Sequence, residues 1–188
     1  MSAELVTWRA LVPQAWKNGA GTTREIAAEP PGAGLDGFAW RISVAELVQD
    51  GPFSAFPGID RCITLLRGAG MTLRSGDGSV DRRIDRVGEP FFFAGEKPVE
   101  ARLIGGDCEE LNVMVRRGRH RAEVEALDAR RSAGPALAGL LACLGGRWRC
   151  TGHDAVLDTG QALLWHHGLP ALDIDPAAPG LAILVRIA

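Results

Sequence analysis

Turn-forming residues punctuate this chain from one end to the other. Its 24 glycines and 11 prolines are spread along the sequence and not gathered in one tail, which imposes frequent turns between short elements, the pattern of a β-sandwich or barrel. Between the turns, apolar and polar residues alternate with the period of a strand. Residues 5–11 set Val6, Trp8 and Ala10 against Leu5, Thr7 and Arg9, a first strand that Pro13 ends. In residues 38–47, Trp40, Ile42 and Val44 share one face while Arg41, Ser43 and Ala45 share the other. Residues 62–66 and 71–74, split by Gly68-Ala69-Gly70, are expected to form a β-hairpin. Strands follow at 80–87, at 91–93 as a short buried run of three phenylalanines, and at 99–104. A last one at 107–117 alternates Leu111, Val113 and Val115 with Asn112, Met114 and Arg116.

The second half echoes the first. Residues 158–172 repeat the order of 86–99, a glycine, an apolar run, a glycine-and-proline turn and a new strand, and 182–187 echo 112–117. The spacing is too long for a solenoid and suggests two related β-modules. Residues 121–131 fit a strand or a helix, and the repeat favours a strand. The apolar segment PALAGLLACL at 135–144 could be a short helix.

Charge and cysteine usage remove several function classes. A net charge of −2 gives no general reason to expect nucleic acid or an anionic membrane as partner. Cys62, Cys108, Cys143 and Cys150 form no Cys-x-x-Cys pair, against a zinc ribbon or redox motif and in favour of free thiols in a reducing cytoplasm. The opening MSAELVTWRA has no apolar core of a signal peptide, and no apolar run approaches the ~18 residues of a spanning helix. A cytoplasmic location is therefore expected. Arg116-Arg117-Gly118-Arg119-His120-Arg121 is the one basic cluster, and without interleaved aromatics it reads as a solvated strand end.

The stretch Trp16 to Ile26, WKNGAGTTREI, reads least like scaffold. Gly19 and Gly21 allow a tight turn and a close approach to a guest, and Lys17, Asn18, Thr22, Thr23 and Arg24 make a dense set of donors for a small anionic or polar ligand. Nucleotide motifs fit poorly: Arg24 stands where a dinucleotide fingerprint needs its third glycine, and the Gly-Lys-Ser/Thr of a P-loop is missing. Lys17 is one of only two lysines, with Lys97, in a chain that otherwise carries positive charge as arginine.

Four blocks, WKNGAGTTREI (16–26), FAWRISVAEL (38–47), DGPFSAFPGIDRCITLLRG (50–68) and DCEELNVMVRRG (107–118), resemble in the same order the signature blocks of the HutD/Ves family. The resemblance implies an all-β, cupin-type (RmlC-like) jelly roll: a single bicupin domain of two interlocked β-barrel halves, about 1–118 and 119–188, with at most one or two short helices. It also implies association with bacterial histidine utilisation, which the family is thought to tune by binding a pathway intermediate, with no established reaction. Ala20 departs from the glycine of many relatives, a change of little consequence unless the position needs positive φ.

Cupins commonly hold a metal with three histidines and a glutamate. Here His120, His153, His166 and His167 are the only histidines, and adjacent strand residues face opposite sides. No metal and no cofactor are therefore expected. The site expected instead is a polar cavity in the first barrel. Lys17 and Arg24 would supply charge there, Asn18, Thr22, Thr23 and Ser43 hydrogen bonds, Arg41 a planar fork for a carboxylate, and Asn112 a further amide. Against this, Thr22, Thr23 and Asn112 could simply satisfy backbone groups, and Arg41 could pair with Glu25 or Asp60. The expected partner is a small carboxylate such as urocanate, formiminoglutamate or formylglutamate, with no nucleic acid and no membrane, and a homodimer stays open. Two alternatives compete: a metal-free enzyme with Glu25 as general base, and a protein-binding module that uses the glycine loop as interface.

Overall fold

The computed structural model describes residues 3–153 and 155–188 and is built almost wholly of antiparallel strands. In chain order these are β1 (Glu4–Thr7), β2 (Gln14–Ala15), β3 (Gly21–Glu29), β4 (Trp40–Leu47), β5 (Gly51–Pro52) and β6 (Ile59–Arg67). Next come β7 (Met71–Ser75), β8 (Asp81–Ile84), β9 (Pro90–Ala94), β10 (Val99–Leu103), β11 (Cys108–Arg116), β12 (Ala122–Leu127) and β13 (Arg131–Ala133). The chain closes with β14 (Ala138–Cys143), β15 (Arg147–Cys150), β16 (Val156–Asp158), β17 (Gln161–Trp165), β18 (Leu172–Ala178) and β19 (Ala182–Ile187). Helical structure among the described residues is confined to Trp8–Ala10, a 3-10 turn, and Gly34–Gly37, a single α turn.

The strands group into two compact units, one of residues 11–120, the other of the segment through Ala10 together with 121–188. In the first, a six-stranded sheet ordered β2-β3-β4-β11-β6-β9 shares its core with a four-stranded sheet ordered β5-β10-β7-β8. Ala45, Leu47, Ile63 and Leu65 from the large sheet meet Met71, Leu73, Val99 and Ala101 from the small one. The second unit repeats the plan. Its β12-β19-β14-β17 run matches β4-β11-β6-β9, and β13-β18-β15-β16 matches β5-β10-β7-β8. The echo of 86–99 in 158–172 is thus β9–β10 against β17–β18, and that of 112–117 in 182–187 is β11 against β19.

Four local expectations need correction. The first strand stops at Thr7, a 3-10 turn follows, and β1 pairs with β17 as the outer strand of the second unit, not as part of a barrel spanning 1–118. Residues 62–66 and 71–74 form no hairpin: β6 pairs with β11 and β9, and β7 with β10 and β8. The turn between them carries the chain from one sheet to the other. A Cβ on Gly70, at φ +87°, would lie 1.9 Å from the carbonyl oxygen of Ile84, so this crossing needs glycine for space as well as for conformation. The three phenylalanines lie on an edge strand, and Phe92 is 47% exposed. Finally, 135–144 holds no helix but the central strand β14, whose six residues are all buried. An apolar run covered on both faces carries no period that separates strand from helix.

Candidate functional site

The glycine stretch is the tip of the β2–β3 hairpin. Gly19, at φ +72°, donates its N–H to the Trp16 carbonyl at 3.0 Å, and Trp16 donates to the Gly21 carbonyl at 2.9 Å. Asn18 Oδ1 closes the turn by accepting from the Ala20 N–H at 3.1 Å. Gly21 serves the close approach, because a Cβ there would lie 2.2 Å from the Glu46 carbonyl oxygen on β4. Ala20 is buried and, like every described non-glycine residue, keeps φ out of the positive range. The Trp16 indole turns inward, donates to Thr23 Oγ1 at 2.7 Å and meets the Phe53 ring edge-on at 6.3 Å.

Beneath this hairpin, within the unit of residues 11–120, lies a cavity of about 540 Å³ whose lining includes Trp16, Lys17, Asn18, Thr23, Arg41, Ser43, Phe53, Phe56, Arg61, Glu110, Asn112 and Met114. Strand register orders the floor into rows. Met114 on β11 lies between Arg41 on β4 and Arg61 on β6; Asn112 between Ser43 and Ile63; Glu110 between Ala45 and Leu65. Because same-face residues along a strand are about 6.6 Å apart, the floor passes from a cationic row through an amide row to an acidic one over about 13 Å of backbone.

Arg61 is 3% exposed and sits among aromatic rings, its guanidinium carbon 5.1 Å from the Phe93 centroid, 5.2 Å from Phe53 and 5.3 Å from Phe56. Its Nη1 donates to the Ser54 carbonyl at 3.3 Å, while Nε meets no acceptor among the described residues. Burial pulls its pKa down to about 10, with the charge of Glu110 pushing up and that of Arg41 pulling down, so the cation persists at neutral pH. Arg41 is held differently. Its Nε donates to Glu25 Oε2 at 2.7 Å and Nη1 to Ser43 Oγ at 3.2 Å. Glu110, 1% exposed, has its carboxyl pushed up to about 7 by burial, with Arg61 drawing it back. Its Oε1 accepts from Asn112 Nδ2 at 3.5 Å, and both Glu110 Oε2 and Asn112 Oδ1 lack partners among the described residues.

Of the residues expected at the site, the cavity gathers Lys17, Asn18, Thr23, Arg41, Ser43 and Asn112. Thr22 and Arg24 are not among its lining. They alternate with Thr23 onto the opposite face of β3, where Arg24 lies 3.7 Å from Glu46. Glu25 is outside the lining too and is bound to Arg41, so the buried carboxyl facing the cavity is Glu110. Arg61, Glu110 and the aromatic side of the cavity escaped the sequence reading. The alternation that places Asn112 opposite Leu111 and Val113 also places Glu110 and Met114 beside it, which was the available signal. The second unit has a hydrocarbon interior in which Leu127, Leu141, Trp148, Trp165, Leu172 and Ile174 pack together. Among the described residues, no three His, Cys, Asp or Glu side chains are placed to share a metal ion, and no helix is long and apolar enough to cross a membrane.

Comparison with known proteins places this geometry among relatives. The HutD family model matches residues 9–181. Protein Ves of Cronobacter sakazakii is 40% identical over 154 residues, covering 81% of each chain. The structure of HutD from Pseudomonas fluorescens SBW25, in a formate condition, superposes with a TM-score of 0.84 at 29% identity, over 100% of this chain and 98% of that one. A cupin 2 conserved barrel domain protein from Leptotrichia buccalis superposes with a TM-score of 0.57 at 11% identity, over 100% and 97% of the two chains. That last likeness is one of fold alone, and it identifies the two-sheet units as cupin-type jelly rolls.

Proposed function

The chain belongs to the HutD family, and from that premise we propose that its first barrel is a receptor for a small carboxylate produced in histidine breakdown, through which the protein tunes that pathway without turning the ligand over. The observation that carries this reading is Arg61: a buried guanidinium facing a cavity, with its Nε unpartnered and aromatic rings where a counterion would otherwise stand. A buried cation that Glu110 offsets only in part is costly. An anion that enters the cavity relieves that cost, while a neutral guest gains nothing comparable. Arg41, directed towards the middle of the floor by Ser43 and Glu25, gives a second N–H source on the same side of the site. The rings of Trp16, Phe53 and Phe56 offer apolar faces to the carbon skeleton.

The enzyme reading with Glu25 as general base has less support, since Glu25 is occupied by Arg41 and lies outside the cavity lining. A thermal-shift panel of urocanate, formiminoglutamate and formylglutamate at millimolar concentration tests the proposal. A receptor gains stability from its ligand by mass action, about 2.7 kcal/mol at a hundred times Kd. No shift with any member, and no heat in calorimetry, would count against it.

A further inference from the structure

A carboxylate seated on Arg41 and Arg61 fills only the cationic end of the floor. At the far end Glu110 Oε2 and Asn112 Oδ1 are buried acceptors without partners among the described residues. The residues flanking Glu110 across the ladders, Ala45 and Leu65, have no polar side-chain group to offer. A buried acceptor left unmatched is expensive, and more so when it can carry charge. A second carboxylate at that end could be met only by a protonated Glu110 and would still leave Asn112 Oδ1 unmatched, and a hydrocarbon would leave both oxygens unsatisfied. A nitrogen bearing hydrogen satisfies them. Burial holds the Glu110 carboxyl near neutrality, at about 7, so a donor nitrogen arriving there would draw it into its ionised form. The charged groups lining the cavity around it are Arg61 from β6, Arg41 from β4 and the exposed Lys17 from the hairpin tip, all cations.

Resting on the carboxylate-receptor reading, we propose that Glu110 and Asn112 are specificity-determining residues, which select among small carboxylates those that carry an N–H-bearing nitrogen, as in an imidazole or amidine, at the end remote from the carboxylate. The cavity is then a polarised receptor, cationic at one end and hydrogen-bond-accepting at the other, matched to an amphoteric guest.

Two acids of the same shape separate this from the parent reading: urocanate, which carries an imidazole, and 3-(thiophen-3-yl)acrylate, whose ring has no N–H. Calorimetry on the intact protein is expected to show urocanate bound at least about tenfold more tightly, the size of one hydrogen bond to a charged group. In Glu110→Met, which replaces the buried acid by a side chain of similar volume, that ratio is expected to fall below about threefold. Equal binding of the two acids by the unmodified protein overturns the inference and leaves the carboxylate receptor standing. A preference that survives in Glu110→Met also overturns it, by removing Glu110 from the selection. If neither acid binds, this inference is overturned, and the carboxylate receptor stands or falls with formiminoglutamate and formylglutamate.

Discussion

Arg61 and Phe93 are direct partners across the β6–β9 ladder, and the guanidinium carbon of one lies 5.1 Å from the ring centroid of the other. With Phe53 and Phe56 at similar distances, the cation is positioned by π faces and by the bond from Nη1 to the Ser54 carbonyl. Rings hold a guanidinium in place without using up its N–H groups, and the buried Nε has no acceptor among the described residues.

The aromatic setting is therefore expected to matter for affinity more than for folding. Phe56, which lines the cavity and is only partly buried, is the position to test. Phe56→Leu should weaken carboxylate binding about three- to tenfold, one cation–π contact of about 1 kcal/mol, with a smaller relative change in the urea midpoint. Paired calorimetric and denaturant titrations check this.

Glu110 should leave a signature in the pH dependence of stability. Its carboxyl titrates at about 7 in the folded protein against an ordinary value of 4.5, so between those values the folded state holds more proton than the unfolded chain. Stability from this group is then full below about pH 4.5 and is lost as pH rises through about 7, by up to about 3 kcal/mol. Asp77 and Glu96 are shifted the other way, below their ordinary values by hydrogen bonds from Ser75 and Arg117 respectively, and act only at more acid pH. In Glu110→Gln the loss between pH 5 and 8 should vanish, as read by urea midpoints across that range.

Strand alternation on β3 makes a sided prediction. Arg24→Gln should leave the Kd for a carboxylate within about twofold, since Arg24 lies against Glu46 and outside the cavity lining. Arg41→Gln should raise it about tenfold or more through loss of charge-assisted bonds inside the cavity. Calorimetry on the two variants decides, and a larger effect at Arg24 would contradict the placement of the site.

The two glycines of the hairpin should fail for different reasons. Gly21→Ala forces a Cβ to 2.2 Å from a backbone oxygen, and overpacking against a fixed strand is expected to cost about 2–3 kcal/mol. Gly19→Ala meets open space but must hold φ +72°, at about 1 kcal/mol. Urea denaturation should therefore rank Gly21→Ala as the more damaging change.

Much of this architecture could be read from alternation and turns, and the places where it could not share a cause. Arg41 and Ser43 showed their common face because Trp40, Ile42 and Val44 between them are apolar. Arg61 gave no such signal: in IDRCITLLRG it is followed by residues buried on both faces of β6, so no period marks its side. Its importance arises from Phe53, Phe56 and Phe93, brought to it by other elements. The false hairpin at 68–70 fails likewise, because a glycine turn has the same composition whether its strands pair or part into two sheets. Residues 135–144 could pass for a short helix because the buried strand they contain has no polar face to mark its period. What local pattern cannot encode is which sheet a strand joins, and the cavity is assembled from those choices.

Calorimetric titration of urocanate, formiminoglutamate and formylglutamate into the intact protein and into Arg61→Gln tests the receptor most directly. At least one acid should bind the intact protein with measurable heat, and the substitution should weaken it by about a hundredfold without lowering the urea midpoint. Binding that is indifferent to Arg61, or absent from the intact protein altogether, would contradict it.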